Sequence, residues 1–475
     1  MAAVLILYSS SSAFTKTQFE KLSGTDWFGI YMGRSKIGYA RNSVEQDSSG
    51  RWVVNSATTI TFKVNQASAA VSETDNRIYD AKTGELVLAQ YISKSPAGDI
   101  KIEGRLEAGS FTVTALIAGR STTKNFPRPV ENIQEVFQPQ FMAIAGAAVF
   151  DDTIKLRVYM AQPPISSPIE RVIIFKSKKQ ELLGGIPIEV FTFTDSLPGF
   201  GLGGEIAIAD NGHIIEQRVA GMALFLKAEP QQIALQVDES FDMLANNVVI
   251  CDSGPTDPKA ITRASYLISG YEIAALPKSE RLKIHNLSSD SALVMISGEI
   301  AVGDSITIPV RDTSTIEFLS SEPLIQSDAP EIILQAQEIV KGESRAYPAA
   351  KAINKWVYEN VHKEYSPELS NALSTLHTKK GDCGEHAALA VALMRAVGIP
   401  ARVAGGLVYW PEGKGFAYHA WVEAYVGRWI QLDPAWGEDI ANATHIMLAN
   451  GGFEAQIGSL ARSMRRLRIR FLSFE

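Results

Sequence analysis

The chain of 475 residues holds two cysteines, and one of them, Cys383, stands where a thiol can do chemistry. It lies in the run Gly381-Asp382-Cys383-Gly384-Glu385-His386-Ala387-Ala388-Leu389. Leu389, Leu393 and Val397 recur at helical spacing and Gly398-Ile399-Pro400 ends the pattern, so a helix is predicted to begin at the thiol. Asp382 suits the N-cap, and Glu385 can reach back three residues as in a capping box. In that first turn the unpaired N–H groups and the positive end of the helix dipole favour a thiolate. A cysteine that merely filled a core would sit on the apolar stripe instead.

A thiolate nucleophile needs a base, and the base needs a group to orient it. Downstream, Tyr418-His419-Ala420-Trp421-Val422-Glu423-Ala424-Tyr425-Val426 alternates as a strand does. Gly427-Arg428 and a second short run, Trp429-Ile430-Gln431-Leu432-Asp433-Pro434, complete a hairpin. The order is therefore Cys on a helix start, His on one strand and Asp on the next, the three roles of a Cys–His–Asp triad. The register decides whether they meet. A two-residue loop pairs Val426 with Trp429 and sends His419 and Asp433 to opposite faces. A three-residue loop, Val426 to Arg428, or a bulge puts Asp433 opposite Trp421 and diagonal to His419.

Other polar residues compete for these roles. His386 is three positions from Cys383 on the same helix, but no sequence neighbour fixes its tautomer, and it reads as a packing or supporting residue. Glu423 shares a face with His419 yet lies about 13 Å along the strand, too far to orient the ring. Asp382 is explained as a cap.

The whole segment resembles the transglutaminase-like superfamily, whose core is a papain-like cysteine-enzyme fold. The resemblance rests on Gly381-Asp382-Cys383 with Glu385-His386-Ala387, Gly398-Ile399-Pro400-Ala401-Arg402, His419-Ala420-Trp421-Val422-Glu423, Trp429, and Leu432-Asp433-Pro434-Ala435-Trp436-Gly437. It covers roughly residues 330–445 and implies Cys383 as nucleophile, His419 as general base and acid, and Asp433 as the group orienting His419. The Cys383 N–H is a natural oxyanion donor. Animal members carry a tryptophan upstream for the same purpose; here Trp356 falls in the pattern Ile353, Trp356, Val357, Val361 and reads as helix core. Their calcium dependence is not carried over, because no EF-hand loop is present. Two isolated cysteines without paired histidine spacing argue against zinc, and no cofactor is expected.

A net charge of −7 and a pI near 5.7 argue against nucleic acid as a partner; the protein or peptide substrate expected is what the resemblance implies. The basic run Arg462-Ser463-Met464-Arg465-Arg466-Leu467-Arg468-Ile469-Arg470 reads as a terminal strand with a charged face; the alternative is a patch for anionic lipid or an acidic partner, hence peripheral envelope association. Met1 to Ala13 is a short apolar run ending in small residues. It reads as a truncated signal peptide, with Ser11 and Ala13 at the −3 and −1 positions, and so as periplasmic or envelope export; a non-secreted strand, hence a cytoplasmic protein, is the alternative. No disulfide is expected between Cys251 and Cys383.

The fold class expected is α+β. A large antiparallel β-rich region, residues 26–235, precedes a small β or α+β unit at 260–325 and a catalytic domain at 328–475. Gly33-Arg34-Ser35-Lys36, Lys82-Thr83-Gly84 and Asp210-Asn211-Gly212 mark hairpins in the first region, which reads as one curved sheet or two. Asp252-Ser253-Gly254-Pro255-Thr256-Asp257-Pro258 reads as a linker. Helices are expected from Asp328-Ala329-Pro330 and from Pro348 to about Val361. Thiol acyl transfer on an amide is the leading function, and a non-catalytic envelope assembly or binding protein that keeps the fold is the alternative.

Overall fold

The computed structural model of the protein describes residues 16–64, 67–94, 99–107, 109–117, 120–162, 166–198, 202–219, 224–238, 248–251, 253–298, 306–322, 324–364, 371–451 and 466–475. The expected signal segment lies outside the described residues, as do Arg462 to Arg465 of the basic run.

Between Gly24 and Ala228 fourteen antiparallel strands form one sheet, not two. Almost every strand pairs with its chain neighbour, the product of short turns; Gly212 (φ +90°) and Gly84 (φ +70°) take the left-handed conformation such turns need. The one long-range joint pairs Gly24–Met32 with Leu224–Ala228, so the first and last strands lie in the middle of the sheet. Burial alternates along strands such as Ser110–Ile117, where Phe111, Val113 and Ala115 face inward. Helices Ile133–Val136 and Gln138–Ala145 cover the core. Beneath them Glu131 is wholly buried and accepts from both Arg77 Nη1 (2.7 and 2.9 Å), Tyr79 (2.5 Å) and the Tyr159 N–H (2.8 Å).

The C-terminal part packs helices on an antiparallel sheet. Its strands run in the order Val249–Ile250, Gly415–Tyr425, Ala401–Trp410, Ile446–Asn450, and Trp429–Leu432 pairs with Gly415–Tyr425. Helix Cys383–Ala396 lies at the centre, buried from Glu385 through Arg395, with Pro330–Val340, Ala346–Asn360 and Ala372–Thr378 against it. Ile332, Ile353, Val391 and Leu393 meet Val422, Ala424 and Ile430 in one core. The second helix starts two residues before Pro348, because a helix's first turn has no use for the missing N–H. The short helix Ala372–Thr378, capped by Asn371, was not expected from periodicity; seven residues are too few to show any.

The domain boundaries differ from those expected. The small unit is a four-stranded sheet in the order Leu282–Asn286, Ser291–Ser297, Arg263–Ser269, Arg468–Phe474. Its last strand is the chain's C-terminal strand, which leaves the sheet built on Ala401–Trp410; Ile469 and Phe471 point into the shared core and Arg468 and Arg470 stay exposed. Conversely, Ile306, Ile308 and Val310 pack into the core around helix Cys383–Ala396, and Val249–Ile250, just ahead of the expected linker, adds a strand to the sheet beside Gly415–Tyr425. Tyr266 and Phe471 meet Leu407, Tyr409 and Phe416 across the junction, so the two units share one apolar core. Among the described residues no helix is long and apolar enough to cross a membrane.

Candidate active site

Asp382 caps the thiol helix as its sequence requires. Its carboxylate accepts the Gly384 N–H (2.7 Å), and Glu385 Oε2 accepts the Asp382 N–H (2.8 Å). Cys383 is the first residue of the helix and is half-buried, whereas Cys251 is buried; both are free thiols. The Asp382 cap takes the Gly384 and Glu385 N–H groups, which leaves the Cys383 N–H as the donor at the helix start.

The hairpin has the odd loop that the triad needs. Tyr425 pairs with Trp429 and Val422 with Leu432, leaving Val426, Gly427 and Arg428 as a three-residue loop with Gly427 at φ +97°. Continuing that register sets Asp433 opposite Trp421, one diagonal from His419. His419 Nε2 donates to Asp433 Oδ2 at 2.7 Å, and the Cys383 thiol hydrogen-bonds the same imidazole, which leaves Nδ1 as the atom facing sulfur. The three residues named from sequence are thus brought together.

Asp433 is held more firmly than an orienting carboxylate needs. Its Oδ1 accepts the N–H groups of Ala435 (2.8 Å) and Trp436 (3.0 Å), and its Oδ2 also accepts His445 Nε2 (3.0 Å). Burial alone would push this carboxyl up, but the charge and hydrogen bond of His419 and the hydrogen bond of His445 outweigh it and hold Asp433 well below the usual carboxylate range. For His419 burial alone would lower the pKa; the Asp433 charge and hydrogen bond, with the Cys383 hydrogen bond, instead raise it from 6.5 to about 10. At neutral pH the imidazole is therefore charged, and it faces the Cys383 sulfur.

The competitors fall elsewhere. His386 lies between two backbone carbonyls, Asp382 O (2.6 Å from Nδ1) and Val361 O (3.1 Å from Nε2); burial pushes its pKa below 6.5, and the neutral ring donates its one N–H to one of them. It ties the helix start to the end of Ala346–Asn360, and these carbonyls orient the ring that nothing in its sequence neighbourhood fixed. Glu423 is buried against Arg402 Nε (2.8 Å) and Asn450 Nδ2 (2.8 Å). Trp356 packs at the edge of the helix core with the Lys379 ammonium 4.2 Å over its ring.

His445 was not singled out from the sequence. It follows the turn Asn442-Ala443-Thr444 and precedes the apolar strand Ile446–Asn450, and no spacing links it to Asp433, twelve residues earlier. His419, Asp433 and His445 offer ligand-type atoms within 4.8 Å of one another. That closeness is of two N–H donors converging on one oxygen, and both Asp433 and His445 side chains are wholly buried.

Residues 335–434 match the family model described as the transglutaminase-like superfamily, and this part of the chain is a transglutaminase-like domain. No curated protein matches the chain. Among solved structures, a Cytophaga hutchinsonii protein named as a candidate cysteine protease is 20% identical over 45% of this chain and 86% of its own, with a TM-score of 0.33. A candidate protease from Parabacteroides distasonis is 12% identical over 82% of this chain and 65% of its own, with a TM-score of 0.20. A β-barrel-like protein from Brucella abortus, of a domain of unknown function, is 9% identical over 43% of this chain and 94% of its own, at a TM-score of 0.34. Likenesses this distant carry no argument about activity.

Proposed function

We propose that the protein is a cysteine acyl transferase or amide hydrolase acting on protein or peptide amides. The observation that carries this reading is the chain of hydrogen bonds from Cys383 through His419 to a saturated, buried Asp433. The Cys383 thiolate attacks the amide carbonyl, forming the carbon–sulfur bond, and the carbonyl oxygen takes the charge. The Cys383 N–H at the helix start stabilises this oxyanion. The C–N bond then breaks as the His419 imidazolium gives its proton to the departing amine, leaving a thioester. His419, now neutral, takes a proton from the acceptor that attacks the thioester. Water as acceptor gives hydrolysis or deamidation, and an amine gives crosslinking. Asp433 stays ionised throughout.

A thiol-directed test comes first. At pH 6, iodoacetamide should label Cys383 at least about tenfold faster than buried Cys251, because only Cys383 has a helix start and an imidazolium beside it. Equal rates in the folded protein would remove the activated nucleophile. Incubation with glutamine-containing peptides, with and without a primary amine, then separates ammonia release, amine incorporation and chain cleavage, and Cys383→Ser should lose all three. A wild type that performs none of them on any peptide, yet labels fast, would favour a binding protein that keeps the site.

A further inference from the structure

We propose that His445 is a positioning residue of this site: its Nε2–H shares Asp433 Oδ2 with His419 and so fixes how the carboxylate holds the His419 ring. The inference rests on the reading of Cys383, His419 and Asp433 as the reacting set.

An ionised carboxylate only accepts hydrogen bonds and has about four lone-pair sites. Asp433 has four donors: two peptide N–H groups on Oδ1 and two imidazoles on Oδ2, at 2.7 and 3.0 Å. Every site is used and the side chain is wholly buried, so the carboxylate cannot swing without losing one of these bonds. Both imidazoles must carry their proton on Nε2, which leaves His419 Nδ1 for the thiol. Without His445, Oδ2 would answer to His419 alone, and the carboxylate could rotate into the vacated space. The second donor also draws charge from Oδ2, which limits how tightly Asp433 binds the His419 proton.

His445 is itself held on all sides. Its ring stands edge-on to Trp421 (5.1 Å, 81°) and Trp436 (5.6 Å, 74°), and Trp436 also packs on His419 (5.4 Å). Its Nδ1 lies 3.3 Å from the Asn442 carbonyl, a contact that is a hydrogen bond only when the ring carries both protons, and Arg281 Nη2 donates to that carbonyl at 3.1 Å. A residue that only filled a box between two indoles would be apolar, since burying an imidazole costs free energy unless its nitrogens are bonded. Here the polar edge is aimed at the one buried carboxylate the reaction needs.

The test reads Cys383 directly and needs no amide substrate. Iodoacetamide labelling of the Cys383 peptide is followed by mass spectrometry from pH 4 to 10 in wild type, His445→Phe and His445→Gln. The titratable groups facing this cluster are Cys383, Lys363, Glu438 and Lys259, which binds the Trp436 carbonyl at 2.7 Å; all are kept in every variant. His445→Phe should label at least about tenfold more slowly at pH 6, the order of losing one charge-assisted hydrogen bond, with its pH profile displaced. His445→Gln, whose amide can donate to Asp433, should return to within about threefold of wild type with the profile restored. A folded His445→Phe whose profile overlays that of wild type overturns the proposal. Should His445→Phe not fold, imidazole nitrogen NMR of the wild type decides: protonated Nε2 on both His419 and His445 is required, and an unprotonated His445 Nε2 overturns it. Because labelling is independent of amide chemistry, a protein that shows this His445 dependence but turns over no peptide loses the proposed reaction and keeps this inference.

Discussion

At the scale of single residues, the two histidines nearest the thiol helix differ in what their nitrogens touch. His419 lies between a thiol and a carboxylate, His386 between two backbone carbonyls. His419→Ala should lower acyl-enzyme formation by at least about 10²–10⁴-fold, since it removes both base and acid. His386→Ala should cost about 0.5–3 kcal/mol of stability while folded protein keeps most of its labelling at pH 6. Rates per folded molecule, from circular dichroism and single-turnover acylation, check both; a folded but inactive His386→Ala beside an active His419→Ala would mean the base is misassigned. The charges also predict how stability follows pH. His419 is raised from 6.5 to about 10, so its contribution is complete below pH 6.5 and drains as pH climbs toward 10. Asp433 is depressed below 3.8, so its contribution is present above that pH and drains below it. The difference in melting temperature between wild type and His419→Gln should therefore shrink between pH 6.5 and 10. A difference that stays flat over this range contradicts the charged pair.

At the scale of elements, one hairpin loop decides the site. The loop Val426–Arg428 sets Asp433 on the face of His419, and its centre, Gly427, sits at φ +97°, which side chains adopt poorly. Deleting Gly427 would make a two-residue loop and turn Asp433 to the opposite face. The variant should keep its helical circular dichroism and lose the fast labelling of Cys383 at pH 6. Retained fast labelling would show that Asp433 is dispensable for the thiol's activation. The same face of the sheet is polar beyond the triad: Gln431 meets Glu423 at 3.4 Å and accepts from Trp421 Nε1 at 3.3 Å and Arg281 Nη1 at 3.0 Å. Such a network specifies register, because a one-residue slip would strand several buried polar groups.

At the scale of the whole molecule, the transglutaminase-like part and the small sheet are joined, while the fourteen-stranded sheet has cores of its own. Arg281 of the small sheet spans the junction, donating to Gln431 Oε1, the Ala441 carbonyl (2.6 Å) and the Asn442 carbonyl (3.1 Å) in the loop ahead of His445. The large sheet depends instead on Glu131. Glu131→Ala leaves the Arg77 guanidinium with Asp75 alone and strips a partner from the Tyr79 hydroxyl, which should cost about 3–5 kcal/mol. Because that cluster is far along the chain from the site and shares none of its core, the variant should lower the first thermal transition and leave Cys383 labelling at 25 °C intact. A parallel loss of labelling would show that the large sheet supports the site.

Local sequence determined whatever depends on neighbours along the chain. Asp382, Cys383 and Glu385 lie within three residues of one another, so their cap geometry follows from helix geometry alone. The hairpins at Gly33-Arg34, Lys82–Gly84 and Asp210–Gly212 are likewise turn chemistry, and the motifs around Cys383, His419 and Asp433 fixed which residues to bring together. Tertiary structure decided what depends on register and on distant pairing. Whether Asp433 faced His419 hung on one loop residue; the C-terminal strand joined Arg263–Ser269 because its apolar face found the Tyr266 core, more than two hundred residues before Phe471. His445 belongs to the site only because a turn after Asp433 folds its ring back onto the carboxylate, a contact that no periodicity records.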